Sequence, residues 1–288
     1  MMGVVNLVES DFNITVVGLG LIGGSYAMAL RELNPRNLWG IDINKNTIRI
    51  AEEQGIIDKG YVNPEIPLRK SDIVIICLYP DLTIKFMKDN MNLFKSKAII
   101  TDTAGIKDKI VKEINTFIRE DIEFIGGHPM AGRECGGLAF ASKDIFSGAN
   151  YIITPTRRNK AKNIELIEDI IKKIGCKKIV KISPEKHDEV IAFTSQLPHI
   201  LAVSLVSSDI EEDVGSFIGG SFKDATRVAM INSELWTELL IDNSNNIINQ
   251  IKVFEDNIAN IKRAIINSDS SFLKSTFEKV RLKREELK

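Results

Sequence analysis

The segment Val16-Val-Gly18-Leu-Gly20-Leu-Ile-Gly23-Gly24-Ser25 constrains this chain more than any other stretch. An apolar run leads into it, a helical pattern follows, and Trp39-Gly-Ile-Asp42 reads as a second strand ending in a carboxylate. A strand, glycine turn and helix in this order can rest a dinucleotide pyrophosphate on the helix N-terminus. Gly18 permits the tight turn. Gly20 removes a Cβ so that backbone amides can approach phosphates, and Gly23 lets the helix pack closely on the sheet. Asp42 is placed to accept hydrogen bonds from the adenosine ribose hydroxyls, which favours NAD over NADP.

The first half repeats that alternation. Residues 14–18, 38–42, 72–78, 98–101, 124–127, 151–154 and 178–182 read as strands, with helical patterns between several of them. The run 72–78 is almost uninterruptedly apolar, as a strand covered on both faces requires. The expectation is an α/β fold, a doubly wound parallel sheet. Beyond Ser183-Pro184 the strands stop. Residues 187–208 form a helical pattern with Pro198 as a kink, 221–230 begin another, and 233–266 read as one long helix before a last one at 269–288. In the long helix Leu240, Ile247, Ile251, Phe254, Ile258, Ile261 and Ile265 share a face. The domains expected are 1–183, built on the sheet, and 184–288, all helical. A helical dimer interface is the natural use of so much apolar surface, and a self-contained bundle is the alternative.

Bulk properties exclude several classes. With 288 residues, 44% hydrophobic and 27% charged, the chain can bury a sizeable core. A net charge of −1 argues against a nucleic-acid partner. Cys77, Cys135 and Cys176 lie far apart, which suggests a reducing, cytoplasmic setting and no disulfide. No cluster has metal-ligand spacing, so no metal is expected. No apolar run approaches the roughly 20 residues of a bilayer span, and Glu9 and Asp11 near the start argue against a signal peptide.

Three histidines stand in distinctive places. His128, in Gly126-Gly-His-Pro-Met-Ala-Gly132, follows a strand and falls at the carboxyl edge of the sheet, where such folds bind ligands. Imidazole suits proton transfer near neutral pH, so His128 is the candidate base. His187 opens the helical half, where a structural and a site role weigh equally. His199 follows Pro198 in an apolar stretch and weighs about the same. In Gly219-Gly-Ser-Phe-Lys-Asp-Ala-Thr-Arg227, the arginine offers a fork for a carboxylate, and Asp224 sits one helical turn before it to orient it.

Four motifs now stand in order: Gly-Leu-Gly-Leu-Ile-Gly-Gly-Ser, Asp102-Thr-Ala-Gly-Ile-Lys107, His-Pro-Met-Ala-Gly, and Gly-Gly-Ser-Phe-Lys-Asp-Ala-Thr-Arg. The set resembles the prephenate dehydrogenase family of tyrosine biosynthesis, with its arogenate and cyclohexadienyl relatives, over about residues 13–265. The resemblance implies a Rossmann-type domain followed by an all-helical dimerisation domain, NAD as cofactor, and oxidative decarboxylation of prephenate. It implies that His128 is catalytic and that His199, Arg227, Glu134, Trp236 and Asp224 serve the substrate. It implies cofactor contacts at Gly18, Gly20, Leu21, Ile22, Gly23, Asp42, Leu78 and Thr103, and a homodimer. One departure matters: family members commonly carry serine where this chain has Gly105, and that serine holds the catalytic histidine. Two other classes share the glycine turn. A 3-hydroxyacid-type dehydrogenase, with Lys223 moving the proton, leaves the His-Pro-Met-Ala-Gly segment without a purpose. A non-catalytic NAD-sensing module needs neither His128 nor Arg227.

Overall fold

The computed structural model describes residues 12–208 and 214–287; Glu9 and Asp11 lie outside them. The first half runs β1 (Asn13–Val17), α1 (Leu21–Arg31), β2 (Asn37–Ile41), α2 (Lys45–Glu53), β3 (Lys59–Tyr61), α3 (Glu65–Lys70), β4 (Ile73–Ile76), α4 (Pro80–Asp89), β5 (Ile99–Asp102), α5 (Asp108–Phe117), β6 (Glu123–Pro129), β7 (Asn150–Thr154), α6 (Ala161–Lys173) and β8 (Lys178–Lys181). One eight-stranded sheet results, in the order β3-β2-β1-β4-β5-β6-β7-β8. β4 and β5 are buried at every position, because helices cover both faces. The strand order reverses between β1 and β4, and the turns after these two strands open side by side at the carboxyl edge.

The parallel pattern holds from β3 to β6 and changes at β7, which runs antiparallel to β6. No α-helix crosses over between β6 and β7, and an antiparallel return needs none. β8 then pairs parallel with β7 through α6. Two cores flank the sheet. The first is closed by Tyr26, whose hydroxyl donates to that of Tyr151 at 2.8 Å. The second includes Leu239, a residue of the helical half packed among sheet-half side chains.

Helices follow: α7 (Pro184–Ile191), a π-helical turn Ala192–Gln196, α8 (Leu197–Ser207), α9 (Gly220–Thr226), a 3-10 turn Arg227–Ala229, α10 (Ser233–Asp242), α11 (Ser244–Ile266) and α12 (Ser270–Glu286). Three expectations change. The irregularity ascribed to Pro198 is the π turn just before it. The long helix at 233–266 is two helices, broken at Asn243, whose buried amide donates to the Asp188 carbonyl (2.9 Å) and to Gln196 Oε1 (2.7 Å). Finally, α7, the π turn and α8 run on as one helix, Pro184–Ser207, long and apolar enough to cross a membrane. The sequence expectation overlooked it because charged residues crowd its first turns. Those same turns bury His187 and Asp188 against the sheet half.

Gly18 and Gly23 explain why the first turn is built as it is. Gly18 has φ +84°, and a Cβ there would lie 2.6 Å from the Cys77 carbonyl oxygen. A Cβ at Gly23 would overlap the Gly18 carbonyl oxygen, whereas one at Gly20 would meet no atom within 4 Å. Gly23→Ala is therefore expected to lower stability by about 1–3 kcal/mol, as overpacking does. Gly20→Ala should leave the denaturant midpoint near wild type. Equal midpoints for the two variants would contradict this packing.

Candidate active site

The glycine turn presents the open end of α1. Its N-cap is Gly20, no side chain caps it, and Leu21 and Ile22 form the first, half-buried turn with Gly23. The first amides of a helix lack intrahelical partners and favour anions. Asp42 is anchored beside them: one carboxylate oxygen accepts from Leu19 N at 2.8 Å, the other from Asn44 N at 2.8 Å. Leu78 follows β4 and reaches the turn, its Cδ2 2.9 Å from where a Gly18 Cβ would stand. Thr103 follows β5, its amide bonded to the Ile76 carbonyl at 3.1 Å. These residues fit a dinucleotide. The open space at Gly20 admits phosphate oxygens to backbone N–H groups, and the anchored carboxylate suits vicinal hydroxyls.

A second group of side chains gathers at the ends of β5 and β6. His128 is half-buried, and its Nδ1 lies 2.8 Å from Nε2 of the wholly buried His187. His187 Nδ1 lies 2.6 Å from Asp188 Oδ1. Asp188 also accepts the amides of Lys107 (2.8 Å) and Asp108 (2.9 Å), at the start of α5, which has no side-chain cap of its own. A carboxylate from another element thus caps that helix and meets its positive end. Beneath lies a fully buried ion pair, Lys107 with Asp102. Asp102 further accepts from Ala104 N (3.0 Å) and Gly127 N (3.1 Å), tying the β5 turn to β6. Burial, followed by the neighbouring His187 and Lys107, holds His128 well below the usual imidazole range. Burial likewise pushes His187 down to about 2 and raises the Asp188 carboxyl.

A third group gathers farther along. His199 stacks on Trp236 with ring centroids 3.9 Å apart, and its Nδ1 donates to the Ser195 carbonyl at 2.8 Å. Arg227 forms an ion pair with Glu134, and both charges act on His199, whose proton affinity burial lowers first. Two segments therefore supply most of these groups. The β6 strand and its loop supply His128 and Glu134; the Pro184–Ser207 helix supplies His187 and His199.

Three sequence readings are revised. Among the described residues the ion-pair partner of Arg227 is Glu134, and Asp224 is exposed and does not orient it; a short α9 followed by a 3-10 turn breaks the helical spacing that the pairing needed. His187, weighed evenly, is at the centre of a buried network, and Asp188, Lys107 and Asp102 were not recognised in it. The adjacency of His187 and Asp188 was the available signal. Acid groups also converge where no spacing indicated it: Asp81, Glu238 and Asp242 offer carboxylate oxygens within 4.8 Å of one another. Lys109 already lies among them, its Nζ 2.6 Å from Asp81 and 2.9 Å from Asp242.

Comparison with known proteins gives a consistent picture. Residues 26–180 match the model of the prephenate dehydrogenase nucleotide-binding domain, and residues 183–279 that of the prephenate dehydrogenase dimerization domain. A prephenate dehydrogenase of Bacillus subtilis (strain 168) is 30% identical over 267 residues, 90% of this chain and 72% of the relative. The crystal structure of prephenate dehydrogenase from Aquifex aeolicus in complex with hydroxyphenyl propionate and NAD+ superposes with a TM-score of 0.87 at 29% identity, covering 97% of this chain and 99% of that one. That of Synechocystis arogenate dehydrogenase gives 0.83 at 25% identity, covering 96% and 99%.

The three imidazoles, His187 buried and His128 and His199 half-buried, make a stability prediction. Each binds a proton less readily in the fold than in the unfolded chain, whose imidazoles titrate near 6.5. Their contribution is whole above that pH and is lost as the pH falls below it. The melting temperature is expected to fall from about pH 6.5 to 5, and less steeply in His187→Gln. Parallel profiles for the two proteins would refute this.

Proposed function

The chain belongs to the prephenate dehydrogenase family, and on that premise we propose that it oxidatively decarboxylates prephenate to 4-hydroxyphenylpyruvate. NAD+ is the proposed cofactor, held by the α1 amides at Gly20, Leu21, Ile22 and Gly23 and by Asp42, with Gly18, Leu78 and Thr103 bounding the turn. When bound, it supplies a hydride acceptor. The observation that carries the reading is the setting of His128: Nδ1 is engaged by His187, the surroundings disfavour the charged ring, and Nε2 makes no hydrogen bond among the described residues.

His128 Nε2 takes the proton of the ring hydroxyl as that carbon loses hydride and the oxygen becomes a carbonyl. Departure of the ring carboxylate as carbon dioxide then makes the ring aromatic and leaves a phenolate. The charges balance without net proton release, so His128 returns the borrowed proton to the same oxygen. The Arg227 fork, with one N–H on Glu134, binds a substrate carboxylate. His199 and Trp236 line that end, and Asp224 lies on the neighbouring helix. One observation favours arogenate as the alternative substrate. Because Ser195 O can only accept, neutral His199 carries its proton on Nδ1 and offers a lone pair at Nε2, which suits an ammonium.

The helical half is proposed to form a homodimer. The first part of the α11 stripe, through Phe254, packs within the protomer and Ile261 is half-buried, but Ile258 and Ile265 are exposed, as are Phe277 and Val280 on α12. Such a surface fits a second copy.

NADH formation with prephenate, arogenate and 3-hydroxy acids separates the readings, and none from either cyclohexadienyl acid would refute the proposal. His128→Asn should keep NAD+ binding and lose roughly 10²- to 10⁴-fold in kcat. Arg227→Ala should raise KM for substrate on the order of 10- to 100-fold, as loss of a charged hydrogen bond does. Light scattering should give the mass of two chains; a monomer would remove the dimer.

A further inference from the structure

We infer that His187 and Asp188 fix the tautomer of His128 and carry the borrowed proton away from it during turnover. The inference rests on the reading of His128 as the base that meets the substrate hydroxyl. Asp188 accepts two backbone N–H groups, so it faces α5 as an acceptor. At 2.6 Å from this carboxylate, His187 Nδ1 carries the hydrogen. A neutral His187 therefore has a lone pair at Nε2. His128 Nδ1, 2.8 Å from that lone pair, must donate to it. His128 is left with its own lone pair at Nε2, where a base is needed. The opposite tautomer would leave two lone pairs facing each other between the rings.

The same chain moves a proton without creating a buried cation. As the substrate O–H proton bonds to His128 Nε2, the Nδ1 proton of His128 passes to His187 Nε2. The Nδ1 proton of His187 then passes to Asp188 Oδ1. The electron pair of the broken O–H bond becomes part of the new carbonyl while hydride leaves to the nicotinamide. Both imidazoles end neutral with exchanged tautomers, and Asp188 ends as a neutral acid. Aromatisation runs the chain backwards and returns a proton to the phenolate oxygen. A proton held on His128 itself would place a second cation near Lys107, whose charge Asp102 already matches. Burial favours the neutral form of Asp188, so the carboxylate is suited to take the proton.

Position 105 is glycine in this chain, and it packs against the helical half. A Cβ at that position would lie 3.2 Å from Leu239 Cδ2 and 3.4 Å from Cδ1. The Leu239 methyls crowd that position, and a side chain there would displace them by a few tenths of an ångström.

The chain has only three histidines, so ¹⁵N-histidine labelling reports each ring nitrogen in the unliganded protein. Correlation spectra at pH 7.5 are expected to show His128 and His187 both neutral and both protonated on Nδ1. His128 protonated on Nε2, or either ring as an imidazolium, overturns the inference. Two variants extend the test. In His187→Gln the side-chain oxygen can accept from His128 Nδ1 but cannot pass a proton on; His187→Leu can do neither. The expected result is an unchanged KM for both substrates, with kcat lowered about 10-fold in the first and about 100-fold in the second, within the range for proton-transfer groups. In the leucine variant His128 should show its proton on Nε2. Unchanged kcat in both variants refutes the inference. Failure of the base reading is a separate result, seen as undiminished kcat in His128→Asn.

Discussion

A single carboxylate, Asp188, joins the two halves of the molecule. It caps α5, which follows β5 of the sheet, from the second turn of the first helix beyond it. Its carbonyl accepts from the buried Asn243, which also holds Gln196. Removing a buried charge's partners is costly, because the ion is left without solvent or counter-charge. The Asp188 network therefore sets how the helices seat on the sheet. His128 and His187 come within hydrogen-bond distance because that seating is fixed.

The arrangement divides the labour between rigid and open parts. Asp102, Lys107, His187 and Asp188 are fully or nearly fully buried, and each is hydrogen-bonded to another buried group. The groups assigned to ligands are less enclosed: Gly20 faces open space, His128 is half-buried, and Arg227 is exposed apart from its pair with Glu134. Buried polar networks of this kind hold the exposed groups in place at little entropic cost on binding. Lys109 bridging Asp81 and Asp242, and Arg227 paired with Glu134, are further, more solvent-exposed ties between the same halves.

Much of the sheet was legible in the sequence, because buried parallel strands must be continuously apolar and the glycine turn must follow the first of them. β3 was not, since three residues at an edge carry too little pattern. The antiparallel entry of β7 was hidden because strand direction leaves no mark on a five-residue apolar run. The break at Asn243 was missed since asparagine is common in helices and its reason lies in partners 47 and 55 residues away. In the candidate site, His128, His199 and Arg227 stand out in the sequence by motif and context. The pairing of Arg227 with Glu134 does not, because helical spacing suggested a local partner and the true one is 93 residues distant. Asp102 and Lys107 belong to a quoted motif, but only the fold reveals that they pair with each other.

The π turn at Ala192–Gln196 has a geometric consequence. Twelve residues of regular helix separate positions 187 and 199 by about a third of a revolution, at roughly 100° per residue. One extra residue absorbed in a wide turn takes back most of that angle. The two imidazoles are thereby brought onto nearly the same side of the Pro184–Ser207 helix, one toward His128 and one toward Trp236. A version of the helix shortened by one residue at the bulge would straighten yet keep both rings in phase. A shortening by two would rotate His199 away from Trp236 while leaving His187 where it is.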